Sequence, residues 1–170
     1  MTSPGTNCTT IESPVGTLHL ASNGSALTSL VIVGSVSPLD TEHTCSVSPD
    51  RVLTLAGKQL RQYFSGKRTV FDVPLAYGGT EFQQEVWGTL AKVPFGQTYS
   101  YGELGAHAGY PGSARAVGGC VGRNPIAIIV PCHRVLGSDH KVTGFSGGNG
   151  ISTKEWLLEH EGISYRASPS

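Results

Sequence analysis

Three adjacent side chains in the C-terminal half of this 170-residue chain could do chemistry together. Cys132, His133 and Arg134 place a thiol, an imidazole and a guanidinium at the end of the run N-P-I-A-I-I-V-P-C-H-R-V, Asn124 to Val135. A thiolate is a strong nucleophile, and a neighbouring base can generate it. The five apolar residues Ile126 to Val130 stand between two prolines. They are too few for a helix and mostly β-branched, so they predict a short buried strand. Pro131 cannot donate to a ladder and should end that strand, leaving Cys132 at a strand end. Local composition keeps a second reading open. Cys132 could be a buried structural cysteine beside a surface His–Arg pair, because free cysteine is among the most buried residue types.

The elements that must position this stretch follow from periodicity and turn signals. Thr9 to Ser13, Thr17 to Ser22 and Leu27 to Val33 read as three strands separated by Pro14-Val15-Gly16 and Asn23-Gly24, an antiparallel meander. Residues 34–49 are rich in Ser, Pro and Thr and read as a loop, and residues 1–8 as a frayed polar end. Asp50 to Phe64 carries apolar residues at helical spacing, and Phe71 to Leu75 reads as a further strand. Gly78-Gly79 marks a junction. It divides the chain into a support domain, 1–77, and a second domain, 78–170.

In the second domain Thr80 with Gln83, and Ser100 with Glu103, have capping-box spacing. Ser113 can cap a helix running to about Val121, and Ser152 with Glu155 can open the last helix, about Thr153 to Glu161, with Gly162 behind it. The helices starting at Ser100 and Ser113 are joined by a short Gly-containing turn, which is helix-turn-helix spacing. The second of them holds Ala114, Ala116, Gly118 and Gly119, small residues that let a backbone approach another surface closely. Each glycine costs roughly 1 kcal/mol of helix propensity against alanine, a cost that close packing or binding would explain.

Composition bounds the function. Hydrophobic residues make up 38% of the chain, enough for a core, and the formal net charge is zero. A tight non-specific nucleic-acid binder would usually be basic. The charge is uneven, however. From Ser113 to Val135 the charged residues are Arg115, Arg123 and Arg134, with no acid among them. One locally basic face suits modest, salt-sensitive DNA binding, and a chance run of arginines gives the same pattern. No apolar run approaches the roughly 20 residues of a membrane span, and the N-terminus lacks a basic-then-apolar signal pattern. The expectation is a cytoplasmic protein, nuclear in a eukaryote, with no membrane contact. Cys8, Cys45, Cys120 and Cys132 form no CxxC pair, which argues against a disulfide framework or a zinc knuckle.

The P-C-H-R-V block, 131–135, resembles the active-site signature of the O6-alkylguanine-DNA alkyltransferases. Three further blocks agree with that family in order. They are F-Q-Q-E-V-W at 82–87, S-Y-G-E-L at 100–104 with A-R-A-V-G-G at 114–119, and S-G-G at 146–148 followed by K-E-W-L-L-E-H-E-G at 154–162. The resemblance implies an α/β (α+β) protein. Its N-terminal α/β domain would be ribonuclease H-like with a meander sheet, and its mainly helical C-terminal domain would be winged helix-turn-helix-like. The implied activity is that of a methylated-DNA–protein-cysteine S-methyltransferase. An alkyl group would pass from O6-alkylguanine in double-stranded DNA, and less efficiently from O4-alkylthymine, to Cys132. Transfer would be irreversible and happen once per molecule, with no cofactor and no metal, in a monomer.

The same resemblance assigns roles. His133 takes the Cys132 proton through a bridging water, Glu161 orients His133, and Tyr101 donates to guanine N3 as the base leaves. Arg115 fills the stack vacated by a flipped base. Ser113, Ala114, Ala116, Gly118, Gly119 and Arg123 belong to the DNA-facing helix. Asn124 braces the turn before the active-site strand and belongs with Val142, Phe145 and Ser146 to the substrate pocket, and Arg134 ties the active-site segment to carbonyls. Phe145 stands where the family often has Tyr, and two extra residues near Asn149-Gly150 precede the last helix. Some relatives bind zinc near the N-terminus, but Asn23 and Thr28 occupy the matching positions. The competing readings are a non-enzymatic alkylguanine-recognition protein, a cysteine hydrolase and a helix-turn-helix regulator.

Overall fold

In the computed structural model the described residues are 6–35, 46–47 and 50–167. Strands β1 (Asn7–Ser13), β2 (Gly16–Ser22) and β3 (Leu27–Ile32) form the expected antiparallel meander. A two-residue strand, β4 (Ser46–Val47), adds to β1 in parallel, giving the order β3-β2-β1-β4. It falls in the stretch expected to be loop, and the rest of that stretch beyond residue 35 lies outside the described residues, as do residues 1–5. β1 begins at Asn7, inside the stretch expected to fray.

Helix α1 (Arg51–Phe64) starts where Asp50 accepts from Leu53 N–H. The Asp50 carboxylate also accepts from Asn7 Nδ2 at 2.8 Å and from the Ser22 hydroxyl, which pins the helix start to β1 and β2. Its buried face, Leu53, Ala56, Leu60 and Tyr63, lies on the sheet. The expected strand at Phe71 to Leu75 reduces to one bridge, Leu75 with Leu27. Pro74 offers only its carbonyl, to Leu27 N–H, because it has no N–H to donate.

The second half is mainly helical. Helix α2 (Glu81–Leu90) and helix α3 (Tyr101–His107) both open with complete capping boxes, at Thr80/Gln83 and Ser100/Glu103. Strand β5 (Tyr99–Ser100) pairs in parallel with β6 (Val135–Leu136), which follows the Cys132 turn. Helix α4 (Ala114–Gly122) crosses α3 closely, and a Cβ added at Gly105 would sit 2.7 Å from Ser113 Oγ and 3.1 Å from Val117 Cγ2. Ser113 does not cap α4. Its backbone is not extended, so its hydroxyl turns back to Tyr110 C=O. Helix α5 (Ile151–His160) begins earlier than expected, at Gly150, without the Ser152/Glu155 box. Ser152 instead bonds Asn149 C=O, and Thr153 Oγ1 accepts from Asn149 N–H.

The predicted strand at 126–130 is a buried turn. Ile126 touches β3 through one bridge to Leu30, and the chain then folds on itself through Val130 N–H to Ile126 C=O at 3.0 Å. Ile128 takes a left-handed φ of 70°, an uncommon conformation for a β-branched residue. Asn124 explains why turn wins over strand. Its side chain accepts from Ile126 N–H at 3.0 Å and donates to Val130 C=O at 2.7 Å, closing both ends of the loop. One apolar core runs through both halves, from Leu20, Leu30 and Leu60 to Trp87, Val117, Ile126 and Val130. Among the described residues no helix is long and apolar enough to cross a membrane.

Candidate active site

The closed turn delivers Cys132, His133 and Arg134 as one turn of 3-10 helix, all three buried. Cys132 is a free thiol and lines a cavity of about 310 Å³. Around it stand Tyr101 from α3, Gly118, Val121 and Gly122 from α4, and Thr143 to Ser146 from the loop after β6. The cavity is open to solvent, and on α4 Ala114, Arg115, Ala116, Gly119 and Arg123 are exposed. Tyr101 Oη and Thr143 Oγ1 are hydrogen-bonded at 2.9 Å. The Tyr101 ring lies 3.8 Å from where a Gly118 Cβ would be, so ring and helix form one wall.

Beneath the thiol, Glu161 at the C-cap of α5 collects donors from three directions. Its Oε2 meets His133 Nε2 at 2.6 Å and accepts from Arg134 Nη2 at 3.0 Å, and its Oε1 accepts from Arg134 Nε at 2.8 Å and from Gly96 N–H at 3.2 Å. Arg134 Nη1 also donates to Val93 C=O at 2.6 Å. Burial alone would raise the Glu161 pKa. The hydrogen bonds from His133 and Arg134, with the Arg134 charge, outweigh that and hold the carboxyl well below its ordinary range.

Burial pushes His133 down, so its imidazole is neutral near pH 7, with Glu161 opposing the shift. A carboxylate only accepts, so His133 carries its proton on Nε2. Nδ1 is then the basic atom, and it is buried with no protein partner. Burial pushes the Cys132 thiol up, partly offset by Asn124 and by the charge of Lys154. The resting site is therefore a neutral thiol, a neutral imidazole and a carboxylate.

Of the expected site residues, the structure brings Cys132, His133, Glu161, Arg134 and Tyr101 together, with Phe145 and Ser146 at the cavity. Val142 is placed otherwise. Its side chain packs with Leu136, Leu158 and Ile163 in a small separate cluster and does not line the cavity. Asn124 acts through the turn and is not part of the lining.

Three contributors escaped the sequence reading. Gly96 and Tyr63 touch Glu161, and Lys154, 1% exposed, donates to Val135 C=O at 2.7 Å and Gly144 C=O at 3.1 Å. Burial lowers the Lys154 pKa to about 8, with Cys132 opposing the shift. A lysine inside K-E-W-L-L reads as a solvated helix position, and only the sequence distance of tertiary contacts shows otherwise.

Cys8 is disulfide-bonded, although the cysteine spacing argued against a disulfide framework, while Cys120 and Cys132 are free. Asn23 and Thr28 are engaged in the turn before β3 and in a bond to Ala21 C=O. Among the described residues no group of three or more His, Cys, Asp or Glu could hold a metal ion.

Comparison with known proteins gives a consistent result. The family model described as 6-O-methylguanine DNA methyltransferase, ribonuclease-like domain, matches residues 7–77, and the DNA binding domain of the same family matches residues 81–163. A methylated-DNA–protein-cysteine methyltransferase of Mycobacterium bovis is 50% identical over 154 residues, 89% of this chain and 90% of the relative. A relative of the same description from Methanosarcina acetivorans is 42% identical over 151 residues, 89% of this chain and 95% of its own length. The crystal structure of Mycobacterium tuberculosis OGT in complex with DNA superposes with a TM-score of 0.82 at 47% identity, covering 92% of this chain and 93% of that one.

Proposed function

Because the chain belongs to the 6-O-methylguanine DNA methyltransferase family, we propose that it repairs DNA by direct reversal, moving the alkyl group of O6-alkylguanine onto its own Cys132. The observation that carries this reading is the buried free thiol at the base of an open cavity, backed by the His133–Glu161 pair and roofed by α4. The first domain, 1–77, serves as support, and 78–170 carries DNA binding and transfer.

The reaction follows from the resting protonation states. Cys132 Sγ attacks the alkyl carbon, an S–C bond forms, and the C–O bond to guanine breaks. The thiol proton passes through a bridging water to His133 Nδ1. Glu161 then faces a positive imidazolium across 2.6 Å, the charge arrangement its donors have prepared. Tyr101, now on Thr143, turns its hydroxyl to N3 of the leaving base.

A cavity of about 310 Å³ admits one base but not a duplex, so the lesion must be flipped out of the stack. The exposed face of α4 offers small residues and Arg115 to a minor groove, with Arg115 filling the vacated stack. Ser113 and Arg123 flank that face. Phe145 walls the cavity as an apolar ring, and Ser146 beside it contacts the base edge. Nothing in the site cleaves a thioether, so each monomer acts once, in a cytoplasmic setting.

The test is intact-protein mass after mixing with a duplex carrying one O6-methylguanine, beside Cys132→Ser. The expected result is one methyl group gained by the parent alone, with guanine restored in the DNA. Binding without a mass change would favour a non-enzymatic recognition protein and sink the transfer reading.

A further inference from the structure

Tyr63 sits near the end of α1, in the first half of the chain. It is completely buried, and its hydroxyl donates to Glu161 Oε2 at 2.7 Å. That is the oxygen His133 Nε2 meets. We propose that Tyr63 is a positioning residue that fixes Glu161 Oε2 against His133 and shares its negative charge, keeping His133 Nδ1 available as a proton acceptor. The consequence for transfer rests on the alkyl-transfer reading. The coupling itself is a property of the folded chain.

The phenol is held rigidly. Phe64, Phe71 and Phe95 pack around its ring at centroid distances of 5.1, 5.5 and 6.2 Å, and His160 stands edge-on at 4.9 Å. His160 Nε2 also bonds Tyr63 C=O at 2.8 Å, so α5 grips the residue at its backbone while Glu161 takes its hydroxyl. A phenylalanine would fill the same apolar shell. The hydroxyl is therefore not needed for packing.

Nor is it needed to satisfy the carboxylate. Oε2 already has His133 and Arg134, and Oε1 has Arg134 and Gly96. A carboxylate offers about four acceptor sites, so the phenol is a fifth donor on a filled group. What it adds is a withdrawal of charge from Oε2, the atom closest to His133.

The groups facing His133 set the sign. Arg134 and Cys132 come from its own turn, Lys154 and Glu161 from α5, and Tyr63 from α1 through Glu161. Arg134 and Lys154 oppose a charged imidazole, and Glu161 favours it. Around Tyr63 itself stand Glu161, Arg134 and His160. Removing the hydroxyl leaves more of the Glu161 charge acting on His133, so His133 protonates at a higher pH. Once protonated it cannot take the thiol proton.

The experiment uses the full chain with Tyr63→Phe. The His133 imidazole is titrated by NMR without DNA, and single-turnover methyl uptake from an O6-methylguanine duplex is followed against pH. The expected result is a His133 midpoint raised by on the order of half to one pH unit. The acid limb of methyl uptake moves up with it, and the alkaline plateau and DNA affinity stay unchanged. Tyr165→Phe removes a comparable bond, to Glu159 Oε1 at 2.7 Å, and leaves both readouts where they were.

Fluorotyrosine in place of Tyr63 keeps the fold, strengthens the donor and moves the midpoint down, which covers the case of a poorly folded phenylalanine variant. A His133 midpoint unmoved by either change overturns the proposal. So does a loss of uptake that is equal at every pH and follows melting temperature. If the midpoint moves but the parent takes up no methyl group, the alkyl-transfer reading fails while the coupling stands.

Discussion

Glu161→Gln is the most revealing single change, because it alters one atom and one charge at the point where the site is most densely bonded. Oε2 takes Tyr63, His133 and Arg134 Nη2, while Oε1 takes Arg134 Nε and Gly96 N–H. A glutamine amide has one oxygen and one donor nitrogen. Whichever way it lies, its N–H₂ faces donors. The milder orientation keeps the oxygen at Oε2 and sets N–H against Arg134 Nε–H and Gly96 N–H. Arg134, 5% exposed, is then a buried cation without a counter-charge.

Removing one partner of a buried ion pair costs about 3–5 kcal/mol. In a chain of this size each kcal/mol is worth roughly 2–4 °C, so the melting temperature should fall by about 6–20 °C. The assay is differential scanning calorimetry of parent and variant at a series of pH values. Glu161 is depressed in the folded state, so its contribution is complete above its ordinary value of 4.5 and is lost as pH falls through the folded value. The gap between parent and variant is therefore widest above pH 4.5 and closes in strong acid. A fall of less than about 3 °C at pH 7, or a gap that does not close in acid, would refute the assignment of Glu161 as the shared counter-charge.

Four further outcomes separate stability from function. Gly119→Ala puts a methyl group into open space on the exposed face of α4, so it should raise the melting temperature by roughly 2–4 °C through helix propensity and weaken duplex binding in a gel-shift titration. Asn124→Ala removes both ties of the turn and strips a donor from the buried Val130 carbonyl, so urea unfolding should show a loss of about 1–3 kcal/mol. Gly34→Ala would drive a Cβ into the Gly148 carbonyl, which forces the loop after Phe145 to shift and should slow methyl uptake at saturating duplex. Cys120, packed against α2 with its thiol pushed up to about 11 by burial, should stay unmodified by iodoacetamide at pH 8, as peptide mapping will show.

Local signals were legible where the chain states them within four residues. The capping boxes at Thr80/Gln83 and Ser100/Glu103 and the three-strand meander all form as read. The failures share one cause. Ile126 to Val130 has strand composition, yet Asn124 spends its amide closing the run into a turn, and one bridge to Leu30 is all the sheet takes. Ser152 has capping spacing, but the helix already starts at Gly150, which takes a φ of 76°. In both places a specific side-chain bond or backbone conformation overrode a propensity. The P-C-H-R-V block pointed to Cys132 and His133, whereas Tyr63, Gly96 and Lys154 had no local mark. Tyr63 lies 98 residues from Glu161 and reads as one more apolar position of α1.

That distance bears on why the support half exists at all. The turn bearing Cys132 rests on β3 through Ile126, the loop after Phe145 rests on β3 through Gly148 N–H to Ile32 C=O, and Glu161 rests on α1 through Tyr63. The turn, the loop and Glu161 thus each have an anchor in the first 77 residues. On the proposed reading, a site built this way keeps thiol, imidazole and carboxylate fixed, while α4 offers its exposed face to the duplex. Changes in the sheet should therefore appear in the rate of transfer, and changes on α4 in affinity for the lesion.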